Sequence, residues 1–332
     1  MRQSRIEFAD VIVDLQAGDT GKGKVAHYLL SKTNYDYVVR YNGGNNAGHT
    51  IYHNGVKVVT HSIPCGVMYN IKSLIGLGCV LNVKALFEEI SYLEGLGFNV
   101  KENLLIDERV HIITDSHIEE DVNNNSIGTT GKGIGPAYRD KYFRKGTRAK
   151  DIPELKEFLF DSYNLSGKIL FEGAQGFELD IDWGDYPYVT SSHCTIGSAI
   201  LNGVPPQFIR KVYGTAKAYR TYVGNKEFQG KDPIFDKIAE VGNEYGSTTG
   251  RKRQVAYIDV DSLVKACNIN GVTDLIINKL DVLIEVDRFA FHRNKWVYET
   301  DRDTFLKFLN EHLFTNCFHL QDIKFSTNPN EV

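Results

Sequence analysis

A glycine-rich stretch between an apolar run and a helix-forming segment constrains this chain most. Residues 11–15 (VIVDL) have a strand pattern, residues 18–24 (GDTGKGK) form the stretch, and a helix-period segment follows at 24–32. Backbone N–H groups at such a turn converge on a phosphate when side chains do not crowd it, and the dipole of the following helix adds favourable potential. The sequence therefore predicts a phosphate-binding strand–loop–helix unit.

The loop does not match one motif uniquely. It satisfies the GxxxxGK part of a P-loop, but Val25 stands where a P-loop has the Ser or Thr that binds magnesium. Asp19, inside the loop, is then the nearest candidate for a metal ligand. Gly21, Gly23 and Ala26 also fit a dinucleotide fingerprint. The two lysines favour a triphosphate, while a nicotinamide-dependent oxidoreductase and a turn used only for tight packing remain alternatives.

Strand and helix patterns alternate along the chain. Strands are predicted at 11–15, 35–41, 73–81, 104–107, 168–173, 211–219 and 273–278. Helices are predicted at 24–32, 84–96, 153–161 and 259–269. This alternation predicts an α/β fold with a mostly parallel central sheet flanked by helices, in a single domain over residues 1–332.

Composition excludes several classes of protein. A formal charge of −4 without a basic tail argues against a nucleic-acid partner. The sequence lacks a run of about 18 uncharged apolar residues, so we expect no membrane span. The five cysteines are odd in number and contain no CxxC pair, which favours reduced thiols in the cytoplasm, a host cytoplasm if the protein is viral.

A second nucleotide signal lies at residues 278–281, Asn-Lys-Leu-Asp, directly after the strand predicted at 273–278. A carboxylate at a strand end can accept hydrogen bonds from N1–H and the 2-amino group of guanine, a pair of donors that adenine lacks. Combined with the phosphate loop, this pattern favours GTP. A GTP-dependent switch protein is consistent with these two segments alone.

Further motifs follow in an order that resembles a known family. They are GDTGKGK (18–24), NAGHT (46–50), IGTTGKGIGPAY (127–138), FEGAQG (171–176), YPYVTSS (186–192), TTGRKR (248–253) and KLDVL (279–283). The chain is similar to adenylosuccinate synthetases, and the resemblance covers residues 11–283. It implies a P-loop-like α/β fold and a ligase that joins L-aspartate to C6 of IMP through a 6-phosphoryl intermediate, using GTP and Mg²⁺.

The resemblance also implies roles for individual residues. Asp19 matches the catalytic aspartate that takes the N1 proton and binds magnesium together with the Gly48 carbonyl, and His49 matches the histidine that stabilises charge at the γ-phosphate. The implied triphosphate contacts are Gly18, Gly21, Lys22, Gly23, Lys24, Lys279 and Asp281. The implied purine monophosphate contacts are Asn46, Thr130, Arg144, Gln175, Thr190, Val223, Gly224 and Arg251. The implied L-aspartate contacts are Thr248, Thr249, Arg251 and Arg253.

Arg144 matches an arginine that reaches the 5′-phosphate in the neighbouring subunit, so the resemblance implies a homodimer. Each role has a structural alternative. His49 could be a solvated loop residue, residues 251–254 could be an exposed charged turn, and Gln175 and Thr190 could only satisfy buried backbone.

The acceptor is the least determined part of the prediction. The chain is shorter than the usual family member, and Tyr222 replaces an arginine in the segment beside the ribose. Short forms of the family occur in archaea and in bacteriophages whose DNA carries 2-aminoadenine, and the phage enzymes act on dGMP. These departures favour dGMP, with the product N6-succino-2-amino-2′-deoxyadenylate, but the retained Asp19 keeps IMP as the alternative acceptor and ATP stays open as donor.

Overall fold

The computed structural model describes residues 6–53, 55–124, 127–246, 250–328 and 332. The strands are β1 (Ile6–Asp14), β2 (Tyr37–Arg40), β3 (His49–His53), β4 (Val56–Thr60), β5 (Lys72–Ile75), β6 (Val80–Leu81), β7 (Leu104–Asp107), β8 (His111–Ile112), β9 (Leu159–Phe160), β10 (Gly167–Glu172), β11 (Ile209–Lys217), β12 (Tyr219–Tyr222), β13 (Gln254–Asp259), β14 (Asp274–Asn278), β15 (Phe289–Arg293), β16 (Trp296–Thr300) and β17 (Asp322–Phe325).

The α-helices are α1 (Lys22–Lys32), α2 (Val83–Gly95), α3 (Val100–Asn103), α4 (Asp115–Asn123), α5 (Ile134–Tyr142), α6 (Ile196–Ile200), α7 (Ile234–Val241), α8 (Val260–Asn270), α9 (Leu280–Val286) and α10 (Arg302–Asn316). Short 3₁₀ turns occupy Cys65–Tyr69, Ala149–Asp151, Pro153–Phe158, Ser162–Asn164, Phe177–Leu179 and Pro206–Phe208. Among the helices of the described ranges, none has the length and apolar content needed to cross a bilayer.

A nine-stranded sheet forms the centre of the fold, in the order β17-β14-β11-β1-β10-β2-β5-β7-β9. Every neighbouring pair in it is parallel. Parallel neighbours need crossover connections, and helices supply most of them here. A four-stranded sheet in the order β12-β13-β15-β16 and the β3–β4 hairpin lie beside it. The predicted α/β class with a mostly parallel central sheet is therefore confirmed.

The central sheet is buried on both faces. Val11 of β1 and Phe171 of β10 belong to one hydrophobic cluster, while Ile12 and Leu170, the alternate residues, belong to another. Successive side chains of a strand point to opposite faces, so the two clusters cover the two sides of the sheet. This double burial explains why the strands read as nearly continuous apolar runs.

Three predicted segments differ from the structure. The helix predicted at 153–161 is wrong: a 3₁₀ turn at Pro153–Phe158 leads into β9, because Leu159 and Phe160 pair with the end of β7 at the sheet edge. Residues 73–81 form two strands, β5 and β6, instead of one. Residues 211–219 likewise divide between β11 in the main sheet and β12 in the smaller one.

The carboxyl ends of the central strands bring the sequence motifs to one edge. The phosphate loop follows β1, the NAGHT segment follows β2, and the AQG segment follows β10. These three strands are neighbours in the sheet. In open parallel sheets ligands bind in the crevice outside this edge. The fold thus predicts the location of the site before any side chain is considered.

Candidate active site

The loop between β1 and α1 depends on glycine at two positions. Gly21 has φ 100°, a left-handed conformation that a side chain would strain, and a Cβ there would lie 2.7 Å from Nδ2 of Asn278. At Gly23 a Cβ would lie 2.8 Å from the carbonyl oxygen of Thr50. Nδ2 of Asn278 donates to the carbonyl oxygen of Thr20 at 2.7 Å, so the NKLD segment anchors the loop.

A cavity of about 380 Å³ lies at this edge of the sheet. Most of the residues predicted to bind substrates line it together. These are Gly18, Asp19, Gly21, Lys22, Gly23, Asn46, Gly48, His49, Thr130, Gln175, Thr190, Val223, Arg251 and Arg253. They come from seven separate stretches of sequence, and the parallel strand order brings several of these stretches to the same edge.

Asp19 is bound to an arginine. Nε and Nη2 of Arg253 donate to Oδ2 of Asp19 at 3.0 and 2.7 Å. Nη1 of the same guanidinium donates to Oε2 of Glu244 at 2.5 Å. The Asp19 side chain is 34% exposed, whereas that of Glu244 is fully buried. Arg253 therefore connects a buried anion to the carboxylate that faces the cavity.

Glu244 is held on its other side by two further groups. Nζ of Lys217 and the hydroxyl of Tyr219 donate to its two oxygens at 2.8 and 2.6 Å. Burial raises the pKa of Glu244, but the charges of Lys217 and Arg253 outweigh burial and lower the pKa to about 2. Glu244 is therefore ionised at neutral pH and orients the guanidinium of Arg253.

His49 lies against a buried ion pair. Its Nδ1 contacts Oε1 of Glu172, which also accepts from Nη2 of Arg40 at 2.7 Å, and Oε2 of Glu172 accepts from the backbone N–H of Cys65 at 3.0 Å. The carboxylate requires a proton on Nδ1, so Nε2 carries the lone pair of the neutral ring. Nε2 is buried and has no hydrogen-bond partner in the described ranges.

The electrostatic environment keeps His49 neutral. Burial lowers its pKa to about 4, Arg40 acts in the same direction, and Glu172 opposes both. Burial raises the pKa of Glu172, but the charge of Arg40 and the hydrogen bonds from His49 and Cys65 hold it well below the usual range. A polyanion placed beside Nε2 would raise the pKa of His49 and convert Nε2 into a donor.

The residues predicted to contact the purine monophosphate line the cavity from several loops. Gln175 has φ 55°, and its buried Oε1 lacks a partner in the described part of the chain. Asn46 accepts from the N–H of Gly44 through Oδ1 at 3.1 Å. Arg251 donates to the carbonyl oxygen of Gly128 at 3.2 Å, which connects the loops on the two sides of the cavity.

A second group of predicted triphosphate residues lies where α1, the start of α9 and the end of β17 meet. Nζ of Lys24 donates to Oγ of Ser326 at 2.7 Å and to the carbonyl oxygen of Asn328 at 3.0 Å. Burial lowers the pKa of Lys24 to about 8, Asp281 opposes this, and Lys279 adds to it. Lys24, Lys279 and Asp281 are therefore close enough to influence one another, as a nucleotide site made of both motifs requires.

Besides Lys24, Lys279 and Asp281, two described residues of the predicted set, Arg144 and Gly224, are not among those that line the cavity. Arg144 is exposed just beyond α5, with φ 63°. Gly224 adjoins the cavity residue Val223, and its carbonyl oxygen accepts from Nε2 of Gln254 at 3.4 Å. Thr248 and Thr249 lie outside the described residues.

Sequence reasoning missed the residues that orient the predicted ones. Glu172 and Arg40 hold His49, and Glu244 holds Arg253. Glu172 and Arg40 end β10 and β2, and Glu244 comes shortly before the TTGR segment. A charged side chain ending a buried parallel strand was the available signal, because such a charge must find a partner near the site.

The predicted magnesium ligands fit a hard cation. The carboxylate of Asp19 and the backbone of Gly48 both line the cavity beside the phosphate loop. Carboxylate and carbonyl oxygens are the donors that Mg²⁺ prefers, and it usually binds through one or two protein oxygens plus substrate phosphates. The donor set is therefore suitable for Mg²⁺.

The fold and the cavity define a nucleotide-binding enzyme with a phosphate loop at the carboxyl edge of a parallel sheet. The chain belongs to the adenylosuccinate synthetase family, whose sequence profile matches residues 11–164 and 152–292. The adenylosuccinate synthetase of Helicobacter acinonychis is 39% identical over 331 residues, covering 83% of this chain and 79% of that protein. The enzyme of Chlorobium limicola is 40% identical over 335 residues, covering 83% and 77%.

Solved structures support the same family. A fully ligated adenylosuccinate synthetase from Plasmodium falciparum superposes with a TM-score of 0.83 and 27% identity, over 98% of both chains. The cyanophage S-2L succinoaminodeoxyadenylate synthetase, bound to dGMP and dATP as an energy donor, superposes with a TM-score of 0.71 and 25% identity, over 93% of this chain and 100% of that one. The protein is therefore a ligase that forms C–N bonds, and neither a switch protein nor a nicotinamide-dependent oxidoreductase is supported.

Proposed function

We propose that this protein joins L-aspartate to C6 of a 6-oxopurine 5′-monophosphate while cleaving GTP, and that dGMP is the preferred acceptor. The observation that carries the proposal is the cavity shared by Asp19, His49 and Gln175 beside the phosphate loop. A base, a charge-stabilising imidazole and a side-chain amide converge there on a volume of about 380 Å³, within the usual range for small-molecule sites.

The residues supply a chemically complete route. The Asp19 carboxylate removes the N1 proton of the purine, which places negative charge on O6. O6 then attacks the γ-phosphorus, the bond from that phosphorus to the β–γ bridging oxygen breaks, and GDP leaves. The amine of L-aspartate adds at C6, the phosphorylated O6 departs as phosphate, and the amine loses its proton.

His49 acts on the phosphoryl transfer. Once the triphosphate raises its pKa, Nε2 donates to the γ-phosphate and stabilises the charge that develops there. Glu172 keeps the ring in the required tautomer through Nδ1. Asp19 and Gly48 would hold Mg²⁺, which when bound neutralises phosphate charge.

Two arginines are suited to the carboxylates of L-aspartate. Arg251 and Arg253 both line the cavity, and a planar guanidinium binds a carboxylate through two parallel hydrogen bonds. Arg253 already donates through two nitrogens to one carboxylate oxygen, Oδ2 of Asp19, which supports a role in binding carboxylates. Thr248 and Thr249 complete this proposed contact set.

The preference for dGMP rests on two points. The cyanophage enzyme, whose structure contains dGMP, is covered along its whole length by this chain. Tyr222 lines the cavity beside Val223 and packs on Phe228, with ring centroids 5.6 Å apart, so a bulky ring stands in the segment assigned to the ribose side. The identity of about 40% to bacterial adenylosuccinate synthetases favours IMP as the second candidate acceptor.

Turnover with each acceptor tests the proposal. Purified protein with L-aspartate, GTP and Mg²⁺ is supplied in turn with dGMP, GMP and IMP, and product formation and phosphate release are both measured. We expect kcat/KM for dGMP to exceed that for IMP by roughly tenfold or more, the scale of discrimination that one well-placed contact supplies. Equal or faster turnover of IMP would overturn the acceptor assignment, and phosphate release without L-aspartate would overturn the ligase mechanism.

The donor is tested through Asp281. Replacement Asp281→Asn removes the acceptor proposed for N1–H and the 2-amino group of guanine, so KM for GTP should rise by roughly tenfold or more while KM for ATP changes little. Asp287→Asn, a few residues further along the chain, serves as the matched control. An equal loss with both nucleotides would show that Asp281 does not read the base.

A further inference from the structure

A buried aspartate lies inside the phosphate loop without a role in the chemistry described above. Asp14 is the last residue of β1, and its side chain has no exposed surface. It accepts five hydrogen bonds: from the backbone N–H groups of Gln16 (3.0 Å), Gly18 (3.3 Å) and Thr20 (3.2 Å), from Oγ1 of Thr20 (2.5 Å) and from Nζ of Lys22 (2.8 Å).

We propose that Asp14 is a positioning residue that fixes Asp19 and Gln175 for the ligase reaction. The inference rests on the proposed function, because it assigns Asp14 to the proposed base. Its two oxygens bind the amides of Gly18 and Thr20, the residues on either side of Asp19. Asp14 therefore fixes the backbone on both sides of Asp19, while the Asp19 side chain faces the cavity.

The backbone conformation of Asp19 is consistent with this constraint. Its φ is 57°, a left-handed conformation that is uncommon for residues other than glycine. Gly18 and Thr20 are buried, while Asp19 is exposed to the cavity. Without the Asp14 carboxylate this conformation would lose the contacts that stabilise it.

The same carboxylate acts on Gln175 through Lys22. Nζ of Lys22 donates to Oδ2 of Asp14 and, at 2.6 Å, to the carbonyl oxygen of Gln175. Gln175 also has a positive φ, 55°, and its buried Oε1 has no partner among the described residues. Asp14 therefore positions two residues of the cavity. It positions Asp19 through the loop amides on either side, and it positions Gln175 through the buried ammonium of Lys22.

A carboxylate is required because every one of the five partners is a donor. An asparagine at position 14 keeps one accepting oxygen and adds an NH₂ group that faces donors. It also leaves the buried ammonium of Lys22 without its counter-ion, and an unpaired buried charge is strongly unfavourable. Asp14→Asn thus disrupts the hydrogen bonds and the ion pair of this carboxylate with almost no change in side-chain volume.

The chain offers a matched control on the same strand. Asp10 of β1 is also fully buried, accepts from Nε of Arg210 at 3.0 Å and from the hydroxyl of Tyr35 at 2.6 Å, and none of its partners in the described part of the chain lines the cavity. Asp10→Asn therefore removes the charge of an equally buried carboxylate away from the site, although its partner Arg210 is partly exposed whereas Lys22 is buried. Comparing the two variants separates positioning from general loss of stability.

The experiment measures kcat, KM and urea unfolding for wild type, Asp14→Asn and Asp10→Asn with the acceptor that wild type uses best. Both variants should lose stability, but only Asp14→Asn should lose kcat, by roughly a hundredfold, the scale expected when a general base is misplaced. KM for the purine monophosphate should also rise in Asp14→Asn through Gln175. Absence of turnover in wild type would refute the proposed function, whereas similar kcat values in the two variants would refute the role of Asp14.

A second pair of variants tests the positioning role of Asp14 if Asp14→Asn does not fold. Oγ1 of Thr20 contacts both Asp14 and, at 2.6 Å, Oγ1 of Thr215. Thr20→Val removes the side-chain contacts with both Asp14 and Thr215. Thr215→Val loses the contact between the threonines and a hydrogen bond of 3.4 Å to the carbonyl oxygen of Val13, but it leaves the contact between Thr20 and Asp14 in place. We expect kcat to fall by roughly tenfold in Thr20→Val and to stay near wild type in Thr215→Val. Equal kcat values for these two variants would overturn the inference.

Discussion

Arg253 binds Asp19 through two nitrogens, although the two residues are 234 positions apart in the sequence. The guanidinium is itself held by the buried Glu244. The proposed base is thus tied to an arginine proposed to bind the carboxylates of L-aspartate. If L-aspartate binds Arg253 as proposed, it shares that guanidinium with Asp19 or displaces it, and its binding is then coupled to the position of the proposed base.

Replacement of Asp19 should abolish turnover without unfolding the protein. Because the side chain is partly exposed, Asp19→Ala should leave the thermal midpoint near wild type while kcat falls by roughly 10²- to 10⁴-fold, the usual contribution of a general base. Product formation and a melting curve measure the two effects. Asp236→Ala, which removes an exposed partner of Lys252, is the control. A wild-type rate in Asp19→Ala would contradict the assignment.

The free energy of unfolding should decrease as the pH is lowered, because His49 is buried and neutral. Its pKa is about 4 in the folded protein, whereas an unfolded histidine titrates near 6.5, so the unfolded chain binds more protons between these values. The folded state is therefore fully stable above pH 6.5 and loses stability as pH falls towards 4. Between about pH 7 and pH 5 wild type should lose about 2 kcal/mol more than His49→Gln.

Urea unfolding at the two pH values measures this difference. His111, whose pKa burial also lowers to about 4, is present in both proteins, so its contribution cancels. If the two proteins lose equal stability over this interval, His49 is not the buried neutral group described here.

Lys24 should make nucleotide binding sensitive to alkaline pH. Burial lowers its pKa to about 8, so its ammonium is charged below that value and neutral above it. Affinity for the triphosphate should therefore weaken as pH rises through 8. Calorimetric titration of GTP near pH 7 and near pH 9 measures the change. In Lys24→Arg the charge persists at both pH values, so the dependence should be nearly absent; an undiminished dependence would exclude Lys24 as its source.

Arg144 provides a test of the proposed homodimer. It is exposed beyond α5 and is not among the residues that line the cavity of its own chain. Arg144→Leu and Asp19→Ala should each be inactive alone. Mixed dimers of the two should recover activity, because one site then combines an intact Asp19 with an intact Arg144 from the partner. Failure to recover activity in verified mixed dimers would mean that Arg144 acts within its own subunit or not at all.

Local sequence was enough to predict the elements that depend on local interactions. The phosphate loop, α1 and β7 lie where their patterns predict them, because glycine spacing and apolar periodicity act over a few residues. Residues 153–161 show the limit. Their helical periodicity gave way to a 3₁₀ turn and a strand because Leu159 and Phe160 gain sheet partners on β7, which no local pattern reports.

The sequence by itself determined that a phosphate loop, a histidine loop and an NKLD segment exist, since each is a short contiguous pattern whose chemistry its own residues express. Only the tertiary structure decided three contacts. Glu172 contacts His49, and Glu244 binds the guanidinium that also binds Asp19. Asp14 binds the backbone amides of the phosphate loop. These are pairings between charged or polar side chains that lie far apart in the sequence, and Asp14 and Glu172 end parallel strands of the central sheet. Their partners are set by strand order and by the cost of leaving a buried charge unpaired, and neither quantity can be read from neighbouring residues.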